Sequence, residues 1–228
     1  MKKVKFSTEI SYFLGIILLA AATTLMVKAD FGVSMVGAPA YILHLKLSQY
    51  FDFFTFGVAE YMLQAIMLIA LTAVMKKFKI SYLYSFITAI LYGAVLDSFT
   101  ALANMIEYNP LYLRVIYFIV GMVMCSFSIS LFFHTYFIPE SYDLFVKEIT
   151  GKFGIDVTKV KTAYDCTSCA VSVIMSFAFF GFWHFEGIKA GTLIFALING
   201  RMIGFFGKKL DEKFEFTDLL PIRKYFEK

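Results

Sequence analysis

A chain of 228 residues that is 60 % apolar and 19 % aromatic, with a mean hydropathy of +0.74, has too little polar surface to fold as a soluble domain. Only 17 % of its residues are charged, against about a quarter in average soluble domains, and they cluster between long apolar runs, which is the membrane pattern. The net charge of +4 fits Lys and Arg gathered at one membrane surface; no soluble segment is long enough to offer a nucleic-acid face.

The chain opens with Met1-Lys2-Lys3-Val4-Lys5, followed by an uncharged run from Ile10 to Val27. This run is long enough to cross a bilayer and further such runs follow, so it reads as an uncleaved first span and not as a signal peptide. A hydrocarbon core about 30 Å thick takes about 20 helical residues. That length predicts six spans, at about 10–28, 53–75, 80–105, 112–137, 160–183 and 189–207, the last interrupted by Arg201. Backbone groups in lipid must bond within their own segment, so the spans are helices.

Two connections are too long for turns. Residues 29–52 contain Asp30-Phe31-Gly32-Val33-Ser34 and Gly37-Ala38-Pro39. Residues 138–156 begin at Pro139-Glu140 and set Tyr142, Phe145, Ile149 and Phe153 on one helix face. Each predicts a short interfacial helix or a re-entrant segment. Basic residues alternate between sides: Lys2, Lys3 and Lys5, then Lys76, Lys77 and Lys79, then Lys147, Lys152, Lys159 and Lys161, then the tail from Lys208 to Lys228. The other connections hold only scattered charge, and both termini are expected in the cytoplasm. The predicted organisation is one transmembrane domain over 1–207 and a charged tail over 208–228, read as a surface helix or partial disorder.

The two halves, about 8–106 and 112–207, share an order of features. Gly15, Thr55, Tyr61 and Gly93 correspond to Gly121, Thr158, Tyr164 and Gly200, at offsets of 106, 103, 103 and 107 residues. Three spans per half force the halves to enter from opposite sides. The expected fold is therefore an all-α membrane protein of two inverted three-helix repeats, an architecture common among transporters.

Ionisable groups at membrane depth cost about 2.5–3.5 kcal/mol at the centre and are functional suspects. Glu60, Asp97, Asp165 and Arg201 qualify. Glu60 and Gln64 share a helix face, and Asp165, Ser168, Cys169, Ser172 and Ser176 form a polar stripe that Thr162 could join, with Arg201 a possible partner for Asp165. Such stripes serve either a substrate or proton path or interhelical hydrogen bonding. Asp97 and Arg201, nearer the interfaces, lean towards a structural role. Cys166-Thr167-Ser168-Cys169 is a C-x-x-C, but a metal or redox site needs further ligands; small residues also serve close packing. His44, His134 and His184 sit near span ends. No soluble catalytic or nucleotide-binding motif occurs, so no enzyme, metal or cofactor is expected.

Asp30-Phe31-Gly32-Val33-Ser34, Tyr92-Gly93-Ala94-Val95-Leu96-Asp97, Val160-Lys161-Thr162-Ala163-Tyr164-Asp165 and Gly191-Thr192 with Gly200 together resemble the bacterial YczE/YitT-type integral membrane proteins. The resemblance extends to about Gly207. It implies a bacterial cytoplasmic membrane protein of about six spans and brings no substrate or reaction. The leading expectation is a small secondary transporter or permease in the bilayer, for a cation or with proton coupling, working alone, as a homo-oligomer or with a partner subunit. A substrate-binding subunit of a larger complex and a lipid-related protein are the alternatives.

Overall fold

The structure is a computed structural model describing residues 3–108, 110–155, 157–183, 185–221 and 223, without the side chains of Val157 and Thr158. Six of its helices are long and apolar enough to cross a membrane. They are α1 (Thr8–Ala29), α3 (Phe56–Met75), α4 (Tyr82–Asn104), α5 (Leu111–Phe132), α7 (Val157–Phe180) and α8 (Ala190–Lys213). The long connections hold two shorter helices, α2 (Ala38–Leu47) and α6 (Ser141–Phe153).

Helix ends follow from local chemistry. Ser7 Oγ accepts from the Glu9 and Ile10 amides to open α1, and Thr55 Oγ1 accepts from Val58 N to open α3, the usual satisfaction of orphan first-turn donors. Gly154, at φ +65, ends α6 in the left-handed conformation that glycine adopts without a Cβ penalty.

α1 and α5 form the centre and are about half buried, whereas the other spans are about a quarter buried. Two glycines permit their contact. A Cβ on Gly15 would stand 2.7 Å from the Phe132 ring, and one on Gly121 would stand 2.7 Å from Met26 Cγ and 3.0 Å from the Ala22 carbonyl. Small residues let membrane helices approach in this way.

The contacts of the first half recur in the second. α1 packs on α4 as α5 packs on α8, α2 on α3 as α6 on α7, and α2 on α7 as α6 on α3. Single bonds recur too. Thr23 pairs with Tyr92 at 3.0 Å, and Ser126 donates to Asn199 at 2.9 Å. Gln64 Oε1 accepts from Ser141 N at 3.1 Å, while Ser168 Oγ donates to the Met35 carbonyl at 2.7 Å.

The tail differs from the expected surface helix or disorder. α8 runs on to Lys213, and Phe214–Thr217 (β2) then pairs in parallel with Val4–Ser7 (β1), Val4 opposite Phe214. Phe6 packs on Phe214 and Phe216, and Glu9 accepts from the Leu219 and Leu220 amides. These partners are about 210 residues apart, so local pattern could not announce them. The strand pair defines what is called below the terminal face of the bundle. On the opposite face, Asp30 clasps Arg114 and Lys189.

Candidate functional site

Where the six spans and α6 converge, a cavity of about 30 Å³ has Thr23, Glu60, Tyr92, Glu140, Asp143 and Lys161 in its wall. A water needs roughly 10–15 Å³ of such space, so the cavity as it stands holds one or two waters or a small ion. Glu60, Glu140, Asp143, Lys161 and Asp165 are all between 1 and 5 % exposed. Four carboxyl groups thus share the interior with one ammonium. Isolated buried charge is costly, so an arrangement this acidic favours a bound cation or protons.

The partners differ from group to group. Tyr142 OH donates to Glu60 Oε2 at 3.0 Å. Lys161 Nζ lies 3.4 Å from Asp143 Oδ1 and 3.2 Å from Asp165 Oδ1, joining α6 to α7. Among the described residues, Glu140 Oε1 is buried without a hydrogen-bond partner. Burial, reinforced by neighbouring Glu60 and Asp143, pushes the Glu140 carboxyl well above the usual carboxylate range.

α6 buries its N-terminal part, Leu144 and Val146 together with its polar residues, and leaves Lys147 and Lys152 exposed. Ser141, Tyr142 and Asp143 are buried in the bundle, while Phe145 and Ile149 line a lateral apolar cleft of about 720 Å³ with Leu63, Met67 and Val171. Phe153, expected on the same apolar face, is exposed.

Of the residues singled out in the sequence, Glu60 and Gln64 are both buried on α3, Glu60 in the cavity wall and Gln64 against Ser141 N. Asp165, Cys169, Ser172 and Ser176 face the interior, with Ser168 half-buried beside them, whereas Thr162 is exposed. Asp97 is elsewhere: its carboxylate accepts from Thr55 Oγ1 at 2.8 Å and Gly57 N at 2.9 Å, capping α3 from α4. Arg201 is exposed on α8. The ion partner of Asp165 is Lys161, one turn away on α7, and not Arg201. Cys166 is exposed and Cys169 buried, so the C-x-x-C thiols differ in environment. His44 Nδ1 meets the Phe54 carbonyl, His134 bridges Ser130 O and Asp211, and His184 lies outside the described residues.

Glu140, Asp143 and Lys161 were missed as site residues because charge in a connection reads as solvated. One signal existed: Lys161 stands four residues before Asp165, the spacing of a helical ion pair.

These features define a polytopic helical membrane protein with an acidic cavity between its spans and its short helices. Residues 6–208 match the family described as a family of unknown function (DUF6198), and the chain belongs to that family. The match brings no activity and no YczE/YitT name. Among curated proteins and among solved structures, nothing matches.

Proposed function

We propose that the chain is a small secondary transporter of the bacterial cytoplasmic membrane, moving a cationic solute or coupling a solute to protons, with both termini cytoplasmic. The observation that carries this reading is the set of three buried carboxyls, Glu60, Glu140 and Asp143, and Lys161 in the wall of one cavity, with Asp165 paired to that lysine and, among the described residues, no hydrogen-bond partner for Glu140 Oε1. Intramembrane ionisable groups of this kind mark ion and proton pathways. The recurrence of helix contacts and single bonds at offsets near 105 supports two inverted repeats, the construction on which alternating access runs. Three spans per half then make the halves antiparallel, and the cavity lies where they meet.

The test is a thermal-shift screen of purified protein against inorganic and organic cations across pH. A ligand that binds the folded state raises the apparent melting temperature by mass action. A shift that disappears in Glu60→Gln and Glu140→Gln supports the reading. A full set of shifts retained in both variants rejects the cavity as the binding site.

One observation favours a lipid-related reading: the apolar cleft between α3, α6 and α7 is large enough for an acyl chain. A stoichiometric lipid co-purifying with the protein, lost on Phe145→Ser, would support it.

A further inference from the structure

Lys161 is the single residue common to two spaces. It is in the wall of the central cavity, and also in the wall of a vestibule of about 510 Å³ with His134, Lys208 and Asp211. The two spaces adjoin along α5 and α8 at consecutive residues. Ile129 and Asn199 belong to the cavity, and Ser130 and Gly200 to the vestibule. Lys161 lines both of them.

The vestibule lies towards the terminal face, since His134 and Asp211 follow the end of α5 and approach the end of α8. Its α8 wall is stripped of side chains at Gly200, Gly204 and Gly207, and a Cβ on Gly204 would meet nothing within 4 Å. Ser130 Oγ is buried there with no hydrogen-bond partner among the described residues. The volume falls within the roughly 300–1,000 Å³ of small-molecule sites.

We propose that Lys161 is a displaceable plug between the central cavity and this vestibule, its ammonium occupying a cation subsite formed by Asp143 and Asp165. The proposal rests on the transport reading only for the identity of the cavity as the solute site. A lysine ammonium is a compact charge on a flexible four-carbon stem, so it can leave both carboxylates without backbone movement. It cannot leave them uncompensated, because breaking a buried pair strands its charge. A cation arriving from the cavity side relieves that cost by replacing Nζ between Asp143 and Asp165. The solute class that the subsite takes is therefore the one to which the lysine head itself belongs: a compact monocation with N–H donors, ammonium or a primary alkylammonium. Displaced, the Lys161 head swings into the vestibule, whose wall holds the Asp211 carboxylate beside His134.

Cys125 makes the proposal measurable, because it is buried in the wall of the same cavity. In a background carrying Cys166→Ser and Cys169→Ser, Cys125 is treated with 2-aminoethyl methanethiosulfonate, a cationic thiol reagent, and its modification followed by mass spectrometry. Slow modification is expected in the background and at least a tenfold faster rate in Lys161→Ala. Methylammonium should slow the Lys161→Ala reaction several-fold by refilling the subsite, while tetramethylammonium, which has no N–H, should not. Equal rates with and without Lys161 overturn the plug. Equal protection by the two ammonium ions overturns the N–H subsite. If Lys161→Ala does not fold, Asp165→Asn keeps the lysine but removes an anchor; faster Cys125 modification is then expected, and an unchanged rate overturns the proposal. These rates report the barrier alone, so they can fail while the ligand shifts of the transport reading stand, and the reverse.

Discussion

Tyr142 donates its hydroxyl to Glu60 Oε2 at 3.0 Å, and with that bond a residue of a short connection helix reaches an acid one turn inside a span. The bond joins α6 to α3, and next to it Ser141 N–H is received by Gln64. Tyr142→Phe removes the donor and leaves the buried acceptor unsatisfied, a loss of about 1–3 kcal/mol. Thermal or denaturant unfolding in detergent should register it, and any ligand shift that depends on Glu60 should weaken with it. An unchanged stability would mean that water takes over the bond.

The Glu140 carboxyl gives a pH prediction whose sign is fixed. Burial raises its pKa in the folded state above the ordinary value of 4.5. The folded protein therefore holds this proton more tightly than the unfolded chain does. The group's contribution to stability is fully present below pH 4.5 and is lost as pH rises towards the folded value. Glu140→Gln mimics the protonated form. The melting temperature of the variant should exceed that of the wild type at neutral pH, with the gap closing under acid; a gap that does not depend on pH would refute the assignment.

Glu9 and Asp30 each gather several donors, yet their substitutions should differ. Asp30 is exposed, and surface ion pairs contribute about 0–1 kcal/mol. Asp30→Asn should barely move stability. Glu9 is buried and accepts from Ser7 Oγ, Tyr136 OH and the amides of Leu219 and Leu220. Glu9→Gln should free the segment after Lys213, seen as new cleavage there by trypsin in limited proteolysis while the spans stay intact.

Gly15→Ala and Gly121→Ala test whether the two halves carry equivalent contacts. Each inserts a methyl at 2.7 Å from a side chain of the facing helix. Overpacking of this size costs about 1–3 kcal/mol. Gly121→Ala should be the more damaging of the two, because a backbone carbonyl, Ala22 O, also lies 3.0 Å away. Equal tolerance of both changes would show that α1 and α5 can separate freely.

The spans were legible because an apolar run of bilayer length has few other interpretations, and the described helices fall within a few residues of the predicted limits. The fourth span is shorter than its apolar run: α5 stops at Phe132, since the apolar residues as far as Phe137 continue the run in composition but turn towards α6. Glu60, Gln64 and Asp165 were legible as interior groups because an acid in a span has nowhere else to go. Lys161 was not. It sits at the edge of a basic connection, and only the docking of α6 against α7 brings Asp143 to it. Glu140 and Asp143 were hidden for the same reason, at the start of a helix whose N-terminal part is buried whatever its polarity. Asp97, nearer an interface, leaned towards a structural role in the sequence, and in the fold it holds Thr55 and Gly57 at the start of α3.

The pairing of Val4 with Phe214 brings the chain almost full circle. A linker of roughly six to eight residues, at about 3.3 Å each, could join Thr217 to the start of β1. New ends could then be opened in the connection between α4 and α5, so that the second half is synthesised first. Such a permuted chain would keep the contacts among the spans, losing those of Leu219 and Leu220 with Glu9, but would begin on the opposite side of the bilayer. Its success or failure to assemble would separate what the finished bundle tolerates from what the order of insertion demands.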